Sequence, residues 1–129
     1  MKRYIILIIA AALAFFAPSC QKSWEMEQDL NVYSTRINLN NVYECSFTVT
    51  VFSNQDWSAS VSGGSSWLTL QENGGSGLDY LHVYADSNMD PQARVGKIAL
   101  QNASGKKLTI NIVQSGSDEA AADVPDELL

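Results

Sequence analysis

Apolar and polar residues alternate in short runs along the middle of the chain. In the clearest run, residues 45–51, every second side chain is apolar and each residue between is serine or threonine. A strand with one buried face has this period of two, whereas an amphipathic helix repeats its apolar residues every three or four positions. Residues 45–51 are therefore predicted to form a strand, and no part of the region 30–116 has the spacing and caps of a helix.

About seven runs of this kind fall between residues 30 and 116, separated by the residue types that favour turns. The predicted strands are residues 32–39, 45–51, 57–61, 67–70, 80–85, 95–101 and 108–113. Between them, 53–56 is predicted to be a turn, 73–77 a flexible glycine-rich loop and 102–105 a hairpin turn. This number and spacing of strands predict an all-β fold, an antiparallel immunoglobulin-like β-sandwich of about seven strands.

The N-terminal residues 1–19 have the pattern of a secretory signal peptide. A basic start precedes an apolar run over residues 4–17, which is too short to cross a bilayer of about 30 Å comfortably. The run ends in small residues, and Cys20 follows them directly, as in a bacterial lipobox. That resemblance implies cleavage before Cys20 and acylation of its thiol. The alternative is a short, uncleaved signal anchor. We expect an outer-membrane lipoprotein of the cell envelope, and the sequence leaves open which side of that membrane it occupies.

These features divide the chain into four parts. Residues 1–19 are the predicted lipoprotein signal peptide, 20–29 a lipidated tether and 30–116 the β-sandwich domain. Residues 117–129 contain five acids, three consecutive alanines and a proline, and are predicted to be a solvated, loosely ordered acidic tail.

The net charge limits the classes of partner. The chain has 8 Lys and Arg against 14 Asp and Glu, and removal of the leader would leave 6 against 14. Binding of nucleic acid needs a basic stripe that displaces counterions from phosphates, so nucleic acid is not an expected partner. An acidic chain is also not attracted to an anionic membrane, so we expect membrane attachment through the N-terminal lipid only.

Catalytic and metal-binding patterns are weak. His82 is the only histidine, and the spacing of the chain assigns it no nucleophilic partner, so we expect neither an enzyme nor a cofactor. The oxygen-bearing run 86–90 begins like a calcium loop, but Pro91 stands where such loops need glycine. We therefore expect no metal site, and interpret this run as a turn that Arg94 braces. Cys45 is predicted to be a small buried apolar residue.

Several short motifs occur in a characteristic order. Trp57 follows the turn at 53–56, a Ser-Trp-Leu-Thr-Leu motif occupies 66–70, and Asn88 lies six residues before Arg94. A glycine-rich segment ending at residue 77 and a final Val-Gln-Ser-Gly motif at 113–116 complete the set. Together they resemble a BACON domain. The resemblance implies an immunoglobulin-like module of the kind found in envelope lipoproteins and glycan-degrading enzymes of gut bacteria, and a carbohydrate-binding role.

Aromatic side chains are the expected route to sugar binding, because the apolar face of a pyranose stacks on them. Trp57 shares the inward face of its strand and is predicted to lie in the core. Alternation with inward leucines turns Trp67 outward, and the same rule exposes Tyr80, His82 and Tyr84. We therefore interpret these four outward side chains as a candidate surface for an extracellular polysaccharide or mucin glycan. Such a stripe also occurs as plain cross-strand packing. The alternative function is a structural or protein-interaction module at the cell surface, with a protein partner and no sugar ligand.

Overall fold

The computed structural model describes residues 30–129. The predicted signal peptide, Cys20 and the tether lie outside the described residues. Within residues 30–129, no helix has both the length and the apolar character needed to cross a membrane.

Two β-sheets pack face to face in an immunoglobulin-like sandwich. The strands are β1 Leu30–Val32, β2 Arg36–Leu39, β3 Cys45–Ser53, β4 Asp56–Gly63, β5 Leu68–Leu70, β6 Gly74–Ser76, β7 Asp79–Ala85, β8 Arg94–Asn102 and β9 Lys107–Gln114. A four-stranded sheet has the order β1-β3-β7-β5, and a five-stranded sheet has the order β2-β9-β8-β4-β6. The predicted all-β class and sandwich architecture are confirmed, and the hairpin predicted at 102–105 joins the antiparallel pair β8 and β9.

The first predicted strand, 32–39, is in fact two strands in different sheets. β1 pairs antiparallel with β3, whereas β2 pairs parallel with β9. The polar stretch Tyr33-Ser34-Thr35 separates them and lets the chain cross from one sheet to the other. Each of the two strands lies at the edge of its own sheet. The pattern of apolar residues over 32–39 therefore could not show that this region forms two strands.

The core lies between the sheets and takes every second residue from the long strands. On β7, Leu81, Val83 and Ala85 are buried, as the alternation predicts. Trp57 is also buried as predicted, and its indole N–H donates a hydrogen bond to the carbonyl oxygen of Gly77 at 3.1 Å. Burying an aliphatic side chain contributes about 1.5–3 kcal/mol, so this shared core is the main stabilising element of the sandwich.

Cys45 packs against the edge of this core and is only half-buried. Burial raises the pKa of its thiol, because the thiolate is poorly solvated there. The residue therefore resembles the small apolar side chain that the pattern predicts, with a less nucleophilic thiol than a free cysteine in water.

The glycine-rich segment 73–77 is more ordered than the sequence suggests. Its residues 74–76 form β6, which pairs with β4. Gly75 lies against the ring of Trp57: a β-carbon at this position would be only 2.5 Å from Cζ2 of that ring. Glycine is needed at position 75 because the backbone approaches a buried indole closely there, and at position 74 because it approaches the backbone of Trp57. The prediction of a flexible loop was wrong for residues 74–76.

The oxygen-bearing run 86–90 is a braced turn. The Asn88 side chain is buried, accepts a hydrogen bond from the backbone N–H of Asp90 and donates to the carbonyl oxygens of Gln92 and Ser115. Arg94 donates to the backbone carbonyl oxygens of residues 86 and 87 at 2.9 and 3.0 Å. The predicted bracing by Arg94 is confirmed. Among residues 30–129 no three His, Cys, Asp or Glu side chains are grouped so as to hold a metal.

The segment 117–129 is docked on the sandwich, which corrects the expectation of a loosely ordered tail. It contains two short 3-10 helices, Ala121–Asp123 and Asp126–Leu128. Ala121 is 0% exposed and Val124 8% exposed, and both pack against Val113. These two apolar residues bury surface of β9 that would otherwise be exposed to water. The high content of acidic residues in the segment gives no indication of these contacts.

Candidate functional site

The outer surface of the four-stranded sheet carries the predicted stripe of Tyr80, His82 and Tyr84. All three lie on β7, where the intervening residues point into the core. Tyr80 is 52% exposed, the His82 side chain is 51% exposed, and Tyr84 is half-buried. Two steps of about 6.7 Å along a strand place the first and last side chains about 13 Å apart. The predicted exposure of this stripe is confirmed.

Neighbouring strands surround the stripe with small polar side chains. Across the ladder from β3, Ser46 faces Tyr84, Thr48 faces His82, and Thr50 faces Tyr80. A shallow groove of about 230 Å³ lies beside His82 and Tyr84, with Gln71, the residue after β5, on its border. The groove is lined by Ser46, Phe47, Thr48, Gln71, His82, Val83 and Tyr84. The small hydroxyl-bearing neighbours leave the edges and faces of the larger rings accessible.

The His82 ring is held by Glu72. Nδ1 of the imidazole lies 2.6 Å from Oε1 of the carboxylate, and the same oxygen accepts the His82 backbone N–H at 3.0 Å. These hydrogen bonds from His82 lower the pKa of Glu72, since they favour the ionised carboxylate. The pair fixes the orientation of the imidazole at the floor of the groove.

The Tyr84 ring is held by Glu44. Its hydroxyl donates a 2.6 Å hydrogen bond to Oε2 of that carboxylate, which lies just before β3. This hydrogen bond, with a further contribution from Asp86, raises the pKa of Tyr84 to about 12. Near neutral pH the phenol is therefore protonated, and its ring is oriented by a charge-assisted hydrogen bond.

Trp67 does not belong to this surface, so the expectation that it faces outward was wrong. It is 6% exposed, and the Arg94 guanidinium carbon lies 4.3 Å from the ring centroid. The backbone N–H groups of Trp67 and Leu68 both donate to the carbonyl oxygen of Gly64, which places Trp67 in a turn before β5. Because strand alternation does not apply inside a turn, Trp67 and Leu68 both point inward.

Two further aromatic residues, Tyr33 and Phe52, extend the exposed surface. Phe52 follows Thr50 at the next outward position of β3, so the alternation of that strand already carried the signal. Tyr33 is 84% exposed, and its ring meets that of Phe52 edge-on with centroids 5.0 Å apart. No local pattern could place Tyr33 there, because the contact depends on the pairing of β1 with β3.

We call the outer surface formed by Tyr33, Phe52, Tyr80, His82 and Tyr84 the aromatic face. It offers rings for stacking, and Glu44 and Glu72 beside it offer carboxylate oxygens that accept hydrogen bonds. A ligand with both apolar faces and many hydroxyl donors matches this combination.

The chain matches one protein family over most of the sandwich. Residues 55–115 match the BACON family model, whose description is "Putative binding domain, N-terminal". This part of the sandwich is similar to BACON domains. The resemblance drawn from the motifs is thereby confirmed, and the family description is that of a binding module. No curated protein matches the chain.

Three solved structures align with part of this chain. A Bacteroides ovatus GH5 xyloglucanase in complex with a XXXG heptasaccharide aligns with a TM-score of 0.60 and 18% identity, over 67% of this chain and 19% of that one. The secreted serine protease VesC from Vibrio cholerae aligns with a TM-score of 0.47 and 8% identity, over 71% and 24%. The BIgI domain of beta protein from S. agalactiae bound to CEACAM1 aligns with a TM-score of 0.42 and 15% identity, over 67% and 95%. The chain spans about a fifth of the length of the xyloglucanase, and that likeness concerns the fold alone.

Proposed function

We propose that this protein is a non-catalytic lipoprotein of the cell envelope whose BACON-like domain binds glycan on the aromatic face. The observation that carries the proposal is the exposed stripe of Tyr80, His82 and Tyr84, with two of its rings held by the carboxylates of Glu72 and Glu44. Rings whose orientation is already fixed lose little conformational freedom when a ligand stacks on them.

The dimensions of the face suit a chain of sugars better than a single ring. The stripe on β7 is about 13 Å long, and Phe52 and Tyr33 continue it across β3 and beyond β1. The groove is shallow and open, so a bound polymer can run past its ends. We infer that the ligand is an extracellular polysaccharide or the glycan of a mucin.

The comparisons favour a carbohydrate ligand in general. The family description names a binding domain, and the xyloglucanase of similar fold is an enzyme in complex with a heptasaccharide. A module of this kind on a surface lipoprotein would hold glycan close to the cell.

The anchor in this proposal is lipid on Cys20. The support is the sequence of the leader, with its basic start, its apolar run and the cysteine directly after small residues. Acyl chains contribute about 0.8 kcal/mol for each buried CH₂ group, so two or three chains hold a protein at the outer membrane. Mass spectrometry of the native N-terminus tests this part: a polypeptide that begins at an acylated Cys20 is expected, and an intact Met1 would contradict it.

A glycan-retention experiment tests the binding function. We expect the purified protein to be retained by at least one polysaccharide or mucin on a glycan array. The Tyr80→Ala and Tyr84→Ala variants should each lose about two- to tenfold in affinity, since stacking on one ring contributes about 0.5–1.5 kcal/mol. Tyr43→Ala is the matched control, because this tyrosine is exposed in the connection before β3 and does not line the groove. Its retention should equal that of the unmodified protein.

Two outcomes would contradict the proposal. If the alanine variants at positions 80 and 84 bind as well as the Tyr43→Ala control, the aromatic face is not the site. If a folded protein binds no glycan at millimolar concentrations, the alternative of a protein-interaction module at the cell surface is favoured. Circular dichroism of each variant separates loss of binding from loss of fold.

A further inference from the structure

Within residues 30–129, lysine and arginine residues occur on only one side of the sandwich. Residues 30–129 contain five lysines and arginines, and all lie on the five-stranded sheet or in the turn between β8 and β9. They are Arg36, Arg94, Lys97, Lys106 and Lys107. The four strands β1, β3, β5 and β7, which carry the aromatic face, contain no lysine or arginine.

Carboxylates, in contrast, lie beside the stripe of outward side chains on β7. Glu44 accepts the Tyr84 hydroxyl, and Asp86 is close enough to contribute to the raised pKa of that phenol. In the middle of the stripe, Glu72 contacts His82, and the negative charge of Asp79, the residue before Tyr80, acts on Glu72. Two of the side chains that line the groove, His82 and Tyr84, are therefore each in contact with a carboxylate.

The charges of Asp86 and Arg94 act on each other, so Asp86 is partly offset, whereas within residues 30–129 no lysine or arginine forms an ion pair with Glu44 or Glu72. Arg36 pairs with Asp126 in the C-terminal segment, and Arg94 lies over the buried Trp67 while donating to backbone carbonyl oxygens. Charges within about 8 Å of one another interact appreciably at physiological salt. An anionic group on a ligand in the groove would approach two or more carboxylates with no lysine or arginine on the same sheet.

We propose that the aromatic face selects glycans that carry no carboxylate or sulfate groups. This inference rests on the proposed glycan-binding function and narrows it to uncharged polysaccharides and uncharged mucin chains. The carboxylates accept hydrogen bonds from hydroxyl groups, while they repel uronic acids, sialic acids and sulfated sugars. Repulsion by surface charges is modest for each pair, at about 0.2–1 kcal/mol, but several pairs act together here.

Three polymers, each compared with its own oxidised form, test the selectivity. The full-length protein is titrated with xyloglucan, a neutral β-glucan and a neutral galactomannan, and with each polymer after its primary hydroxyls have been oxidised to carboxylates. At about 0.01 M salt, where screening extends over about 30 Å, the oxidised form of any retained polymer should bind at least about tenfold more weakly. At 1 M salt, where screening extends over about 3 Å, the difference should fall to about threefold or less.

Variants in which carboxylates beside the aromatic face are replaced by amides provide a second test. The triple variant Glu44→Gln, Glu72→Gln, Asp86→Asn keeps hydrogen-bonding side chains but removes three charges from the border of the face. It should reduce the low-salt discrimination to about threefold. The matched control Asp118→Asn, Asp123→Asn, Glu127→Gln removes three charges from the C-terminal segment, and its discrimination should stay at about tenfold.

The outcomes separate the two proposals. Equal binding of neutral and oxidised polymers overturns the charge selectivity and leaves the glycan-binding function standing. The charge selectivity is also overturned if the control variant loses as much discrimination as the triple variant. In that case charges far from the aromatic face would account for the discrimination. A folded protein that retains none of the polymers, neutral or oxidised, contradicts both proposals.

Discussion

Arg36 fastens the C-terminal segment to the sandwich, and its replacement by alanine is expected to release that segment. The side chain extends from β2 and donates to the carbonyl oxygens of Ala121 at 2.9 Å and Val124 at 2.7 Å. It also forms an ion pair with Asp126. All three acceptors lie between residues 121 and 126, so one guanidinium ties the last turns of the chain to the edge of the five-stranded sheet.

The size of the effect follows from the exposure of each partner. The Arg36 side chain is 21% exposed and its two carbonyl partners are sheltered, so loss of these charged hydrogen bonds costs about 2–3 kcal/mol. The Asp126 side chain is 84% exposed, and an exposed ion pair contributes only about 0.2–1 kcal/mol. Arg36→Ala should therefore destabilise the protein much more than Asp126→Asn. For a domain of this size each kcal/mol lowers Tm by about 4–8 °C.

Urea denaturation and amide hydrogen exchange check this prediction. The free energy of unfolding should fall by about 2–3 kcal/mol in Arg36→Ala and by less than about 1 kcal/mol in Asp126→Asn. Exchange should accelerate at the backbone N–H of Ala121, which donates to Ser115 Oγ at 2.8 Å, and at that of Val124. Equal losses in the two variants, or unchanged protection of these amides, would refute the assignment of Arg36 as the fastening residue.

Two further predictions concern the site and the core. In the folded state the pKa of Tyr84 is raised from its ordinary value of about 10 to about 12, chiefly by the hydrogen bond to Glu44. This hydrogen bond therefore stabilises the fold fully below about pH 10, and its contribution is lost as the pH rises towards 12. Glu44→Gln should lower that pKa, and an unchanged tyrosinate absorbance titration would count against the assignment. Gly75→Ala places a β-carbon 2.5 Å from the buried Trp57 ring and should cost about 1–3 kcal/mol in thermal or urea unfolding. The control Gly63→Ala, whose nearest contact is 3.6 Å, should cost less than half as much, and equal costs would contradict the close-packing argument.

The sequence by itself determined the long strands β3, β4, β7, β8 and β9 and which of their faces is exposed to water. Adjacent side chains of a strand point to opposite sides as a matter of local geometry, so the period of two predicts both the buried Val83 and the exposed His82. The motif order was likewise sufficient for the family. The outward direction of Phe52 was available from the same rule, since it continues the outward positions of β3.

Tertiary structure alone decided the features that depend on partners far away in the chain. Trp67 turns inward because it lies in a turn and meets Arg94, and Tyr33 joins the aromatic face because β1 pairs with β3. The C-terminal segment is ordered because Arg36, about 85 residues earlier, satisfies its carbonyl oxygens. Local periodicity reports on a residue and its immediate neighbours. It contains no information about which distant surface will be there to cover an apolar side chain or accept a hydrogen bond.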